Sequence, residues 1–152
     1  MRTPTTAVVT GAILATLLFT FSAFAGDHAL NGTWMLVPAS SDFAGQPVVQ
    51  TGTVTINERQ GITVVSRSFV YEGATETFFY RDSTGNSRNS TTVHTGKNLK
   101  TKTKWDDGVL KVTTTDSGVV TLESYSLAAD GTMSVSVVRP EQKLITLVFH
   151  RK

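Results

Sequence analysis

From residue 33 onward the chain alternates apolar and polar side chains in short runs rich in Val, Thr, Ile, Phe and Tyr. Turn residues recur about every ten positions, the spacing of an antiparallel sandwich or barrel. The alternation predicts strands over residues 33–37, 50–58, 62–70, 74–81, 88–95, 99–105, 109–115, 119–127, 132–139 and 144–150. Asp107-Gly108 and Ser117-Gly118, each between two alternating runs, are two-residue hairpin signals, and Gly61 suits a corner with positive φ. The connections are too short for crossover helices. The simplest topology they allow is an up-and-down meander, and closing it into a barrel removes the exposed edges of an open sheet.

Parity assigns the faces. On residues 99–105 the set Leu99, Thr101, Thr103 and Trp105 points one way, and Lys100, Lys102 and Lys104 point the other. An apolar interior puts the lysine row outside and Trp105 inside. Leu110, Val112 and Thr114 share an inner face, as do Met133, Val135 and Val137, with Arg139 at the end of that row. Ile145, Leu147 and Phe149 form the last inner row, turning His150 outward. One bulge would reverse every assignment beyond it.

The first 25 residues do not fit this pattern. Arg2 precedes a long apolar stretch over residues 7–24, and Ala23-Phe24-Ala25 is a small-x-small cleavage pattern. We expect residues 1–25 to be a cleaved signal peptide and residues 26–152 to be one exported domain, periplasmic or secreted. The other reading of the stretch is an uncleaved anchor, since its length approaches the ~20 residues that span a bilayer. The sequence has no cysteine. Disulfides, thiol catalysis and cysteine-based zinc sites are therefore excluded, and stability must come from packing and sheet hydrogen bonds.

Charge adds little, the formal net being +2 over 152 residues. The cluster Lys97, Lys100, Lys102, Lys104 and Lys111 is either a solvated outer face or a surface for anionic lipid or polysaccharide. It lacks the interleaved aromatics that single-stranded nucleic-acid binders stack on, so no nucleic-acid partner is expected.

Several segments resemble known barrels. Gly32-Thr33-Trp34 at the first strand resembles the lipocalin and calycin signature, which implies a tryptophan packed across one barrel end beneath a basic side chain. The run of ten strands is also similar to the intracellular fatty-acid-binding proteins. More closely, the chain resembles small exported bacterial lipocalin-like proteins, most of unassigned function. The resemblance is carried by residues 30–36 (LNGTWML), a near match at 100–110, 123–131 (ESYSLAADG) and Leu147-Val148-Phe149. It implies an all-β, lipocalin-like up-and-down barrel. Two departures from the fatty-acid-binding pattern stand out. The loop after the first strand is too short for a two-helix lid, and Leu147 and Phe149 stand where an Arg-x-Tyr pair would hold a carboxylate.

Catalytic motifs are lacking: there is no G-x-S-x-G, H-E-x-x-H, P-loop or dinucleotide fingerprint. His28, His94 and His150 suggest no metal or haem site, so no cofactor is expected, and the chain reads as non-catalytic. What remains is charge at inward positions. Glu123 shares a face with Tyr125, Glu76 alternates with Phe78 and Tyr80, and Arg139 ends the row of Val135 and Val137; parity is equivocal on the third strand, where Arg67 alternates with Val65, Phe69 and Tyr71. Buried charges must pair, or meet water or ligand. One outcome is a structural Glu–Arg pair at a barrel end, with Arg139 beneath Trp34 and a packed interior. The other is a partly polar cavity for a small, partly hydrophobic molecule, in which Arg67 or Arg139 meets an anionic group and Tyr80, Tyr125 and Trp105 form wall. A void of roughly 300 Å³ or more beside Arg67, Glu123 or Arg139 separates the two.

Overall fold

A computed structural model describes residues 29–83, 90–94 and 97–152, with the side chains of 80–83, 90–94 and 98 left aside. These residues form ten strands: β1 (Gly32–Leu36), β2 (Thr51–Arg59), β3 (Ile62–Tyr71), β4 (Ala74–Ser83), β5 (Ser90–His94), β6 (Lys97–Asp106), β7 (Val109–Asp116), β8 (Val119–Leu127), β9 (Met133–Val138) and β10 (Ile145–Arg151). Each pairs antiparallel with its neighbour in sequence, and β1 pairs with both β2 and β10, so the sheet closes into the expected up-and-down barrel.

Local chemistry explains the hairpins. Gln60-Gly61, Asp107-Gly108 and Ser117-Gly118 are two-residue turns with both φ angles positive. That geometry matches the right-handed twist of the flanking strands, and glycine adopts it without strain. The register within each strand pair runs without a break, so no bulge upsets the parity. The inner rows accordingly bury Val54, Ile56, Val65, Phe69, Leu110, Val112, Met133, Val135, Leu147 and Phe149. Lys100, Lys102 and Lys104 face water, as does His150.

The barrel has one filled end and one open end. At the filled end Trp34 is fully buried, and its Nε1 donates to the Leu30 carbonyl at 2.9 Å. The basic side chain above it is Arg151, whose guanidinium carbon lies 4.2 Å from the indole centroid. Arg151 also donates to the Ala29 and Asn31 carbonyls, tying the first turn to the last strand. This corrects the placement of Arg139 beneath Trp34. Arg139 follows β9, which ends at the opposite, open end. The basic group at the indole comes instead from the strand that pairs with β1, since Trp34 lies opposite Arg151 in the register.

At the open end, residues 37–50 pass from β1 to β2. They hold a single 3-10 turn, Pro38–Ser40, rather than paired helices. Asp42 bridges to Thr146, the Ser41 hydroxyl accepts from the Val148 N–H at 3.0 Å, and the Gln50 N–H donates to Val70. The loop is thus pinned to β10 on one side and β3 on the other. It turns Val49 into the core and packs Phe43 against it.

Candidate binding cavity

Between the packed core and the open end lies a cavity of about 430 Å³. The pinned loop contributes Phe43, Gln46, Pro47 and Val49, and the strands contribute Phe69, Tyr71, Val135, Val137, Ile145, Leu147 and Phe149. A second chamber of about 380 Å³ is walled by Phe78, Leu99, Thr114, Thr121 and Val119. Both are bordered by Arg67, Glu76, Glu123 and Arg139, so charged side chains partition the lumen.

The partition has a definite construction. Arg67 projects from β3 and Glu123 from β8, strands on opposite sides of the ten-strand ring. Arg67 Nη1 donates to Glu123 Oε1 at 2.5 Å, and the ion pair crosses the lumen. The Tyr125 hydroxyl donates to Glu123 Oε2 at 2.9 Å and accepts a longer contact from Arg67. The guanidinium also stacks on Phe78, with its carbon 4.2 Å from the ring centroid. Burial works against the Arg67 charge, but Glu123, Tyr125 and Glu76 together more than offset it and hold the guanidinium firmly protonated. Burial and the same carboxylate push the Tyr125 phenol well above its ordinary range. Arg67 Nε is buried without a hydrogen-bond partner, so a donor is left over beside the chambers.

Nearer the opening the chemistry changes. Tyr71 is pushed up to about 12 by partial burial and by the charge and hydrogen bond of Glu76. Arg139 enters just past the end of β9, on the side of the ring opposite the β4 strand that carries Glu76. Unlike Arg67, it makes no ion pair with a described carboxylate, although it borders both chambers.

The structure brings Arg67, Glu123, Tyr125 and Arg139 together and leaves Trp105 out. Trp105 does face inward, but it is next to last on β6, at the filled end. There its Nε1 donates to the buried Thr63 hydroxyl at 3.1 Å, and it borders neither chamber. Parity fixes which way a side chain points and carries no information about depth, so it reads Trp105 as wall although the residue lies away from both chambers. The Tyr80 side chain lies outside the described residues, as do His28 and the ring of His94. Sequence reasoning missed Phe43 and Val49, loop residues that carry no periodic signal. Tyr71 shares the row of Arg67, but the equivocal parity of that strand kept it off the expected wall. Among the described residues, no group of three His, Asp or Glu side chains could hold a metal ion.

Solved structures with the same fold include a Schistosoma mansoni fatty acid binding protein in complex with arachidonic acid, at TM-score 0.60 and 15% identity over 84% of this chain and 98% of that one. The Echinococcus granulosus fatty-acid-binding protein 1 matches at TM-score 0.60 and 12% identity, over 82% and 98%. A secretary abundant heat soluble protein from Ramazzottius varieornatus matches at TM-score 0.58 and 11% identity, over 82% and 96%. No family model matches the chain, and no curated protein matches it. Identities this low establish the fold alone: the chain is a closed up-and-down β-barrel similar in fold to the fatty-acid-binding proteins.

Proposed function

We propose that this protein is an exported, non-catalytic carrier that holds a small, elongated and largely apolar molecule with one anionic group. The observation that carries the reading is the cavity of about 430 Å³, which falls in the size range of small-molecule sites and has at its border Arg139, in no ion pair with a described carboxylate. Its volume exceeds the threshold set for a packed interior and so weighs against a purely structural role. Of the charged groups on the walls, Arg67 and Glu123 neutralise each other, Glu76 receives the Tyr71 hydrogen bond, Asp116 pairs with Lys97, and Glu72 stands exposed at the rim. Arg139 remains for the ligand, and the spare Arg67 Nε can serve a second ligand oxygen or a water. Fatty-acid binding by the two fold neighbours makes a long-chain carboxylate a reasonable first probe. Export rests on the leader pattern of residues 1–25 and on the resemblance to small exported bacterial barrels.

The test is titration with a dansylated undecanoic acid, its methyl ester and the matching amine, each against wild type and Arg139→Gln. The acid should bind best to wild type, and Arg139→Gln should lose that preference by about tenfold while keeping the ester. A loss of 1.4 kcal/mol corresponds to that factor. Preference for the amine would overturn the anionic assignment, and no binding of any probe would sink the carrier. Native mass spectrometry of protein recovered outside the cytoplasm should show a chain beginning at Gly26 with a bound lipophile. A chain retaining residues 1–25 would contradict the leader.

A further inference from the structure

We infer that the outer face of β6–β9, on the half nearest the opening, docks on an anionic lipid surface. The inference goes beyond the proposed cavity ligand and rests on the opposite face of the sheet.

Among the described residues Val48, Phe79 and Leu127 stand exposed elsewhere on the barrel, but one group of apolar side chains lies exposed together. Val120, Leu122, Val138 and Leu144 are each 37–53% exposed. Val120 and Leu122 lie in the first half of β8, while Val138 ends β9 and Leu144 leads into β10, so all four sit toward the open end. Leu122 pairs directly with Val138 across the two strands, making one continuous patch. Val119, half exposed beside them, also walls the second chamber, so the patch runs up to the cavity rim.

The same register joins the patch to lysines. One outer row reads Lys100, Thr115, Val120 across β6, β7 and β8. The next reads Lys102, Thr113, Leu122, Val138. Cations thus stand at one edge of an apolar strip, with short threonines between that leave both accessible. Lys100 and Lys102 form no ion pair with a described carboxylate, whereas Lys104 and Lys111 at the far half of the barrel both reach Asp106. Free lysines beside exposed aliphatic side chains match the layered chemistry of a lipid surface, where headgroup charge lies just above hydrocarbon. A polysaccharide would use the lysines and leave the aliphatic strip in water. A second copy of the chain would bury the strip but bring the lysines of two molecules together. Docked in this way, the barrel holds its opening toward lipid, so an apolar ligand need not cross water.

The experiment is flotation with vesicles of phosphatidylcholine alone or mixed with phosphatidylglycerol. It uses residues 26–152, which contain every described strand and core residue of the closed barrel, and leaves out the apolar sequence 7–24, which would itself partition into lipid. This chain should float with the anionic vesicles, release with salt and bind phosphatidylcholine poorly. Lys100→Gln with Lys102→Gln should weaken binding about 25-fold, at roughly fivefold per lysine. Leu122→Ser with Val138→Ser should weaken it by about tenfold or more. Lys104→Gln with Lys111→Gln should float like wild type, and so should Arg139→Gln, which separates docking from cavity binding. The inference is overturned if wild type does not float, or if both lysine pairs weaken flotation equally. It is also overturned if the serine pair leaves flotation unchanged while abolishing a concentration-dependent dimer, which would make the strip a self-association surface.

Discussion

Gly32 adopts φ +132°, and a β-carbon there would lie 2.6 Å from Arg151 Nη1. The Gly-x-Trp pattern at the first strand therefore reflects two constraints. The backbone angle suits glycine, and the missing side chain lets Arg151 cross the strand to reach the Trp34 indole and the Ala29 and Asn31 carbonyls. Gly32→Ala should cost about 1–3 kcal/mol, from backbone strain and a displaced guanidinium. Arg151→Ala should remove part of that penalty, so the two changes should couple in a double-mutant cycle read by urea midpoints. Strict additivity would show that Arg151 does not occupy the space Gly32 leaves. Asn31 shows a related economy: its side-chain amide exchanges hydrogen bonds with the Glu58 backbone at 2.7 and 3.1 Å, extending the β1–β2 ladder by one pair.

Among the elements, the strands and tight turns were legible because their causes are local. Asp107-Gly108 and Ser117-Gly118 specify hairpins within four residues, and a period of two reveals an inner face wherever no bulge intervenes. The 37–50 loop was not legible in this way. Its short length excluded a two-helix lid, but its course depends on Ser41 and Asp42 meeting β10, more than a hundred residues away. Those contacts hold Phe43 over the cavity. Phe43→Ala should raise the dissociation rate of the dansylated acid several-fold. Global stability should fall by less than the about 3–5 kcal/mol of a core phenylalanine, because the ring is only partly buried. Stopped-flow displacement and urea unfolding measure the two effects. An unchanged off-rate would show that ligand leaves by another route.

Across the whole molecule, the Arg67–Glu123 pair joins opposite walls and divides the lumen. Glu123→Leu alone leaves a buried guanidinium without its counter-charge and should cost about 3–5 kcal/mol. Replacing both, as Arg67→Met with Glu123→Leu, should restore stability to near wild type or above it, since desolvation penalties vanish with the charges. The double variant should also merge the chambers and accept bulkier apolar probes. Denaturant midpoints of the three variants check the first expectation and competitive displacement the second. A double variant as unstable as the single would mean that the pair contributes through Tyr125 rather than through charge balance alone.

The sequence by itself determined the all-β class, the strand count, the inner and outer faces, and the outward lysine row, because backbone alternation and turn chemistry act over a few residues. It also marked Arg67, Glu123 and Arg139 as inward charges, since parity needs only neighbours. Tertiary structure decided what those charges do. Ring closure sets β3 opposite β8, so Arg67 meets Glu123, and it leaves Arg139 at the open end rather than beneath Trp34. It also decided depth, placing Trp105 among the filling of the closed end and Tyr71 on the cavity wall. Depth and partnership depend on how ten strands tilt and close around one axis, and no short stretch of chain encodes that.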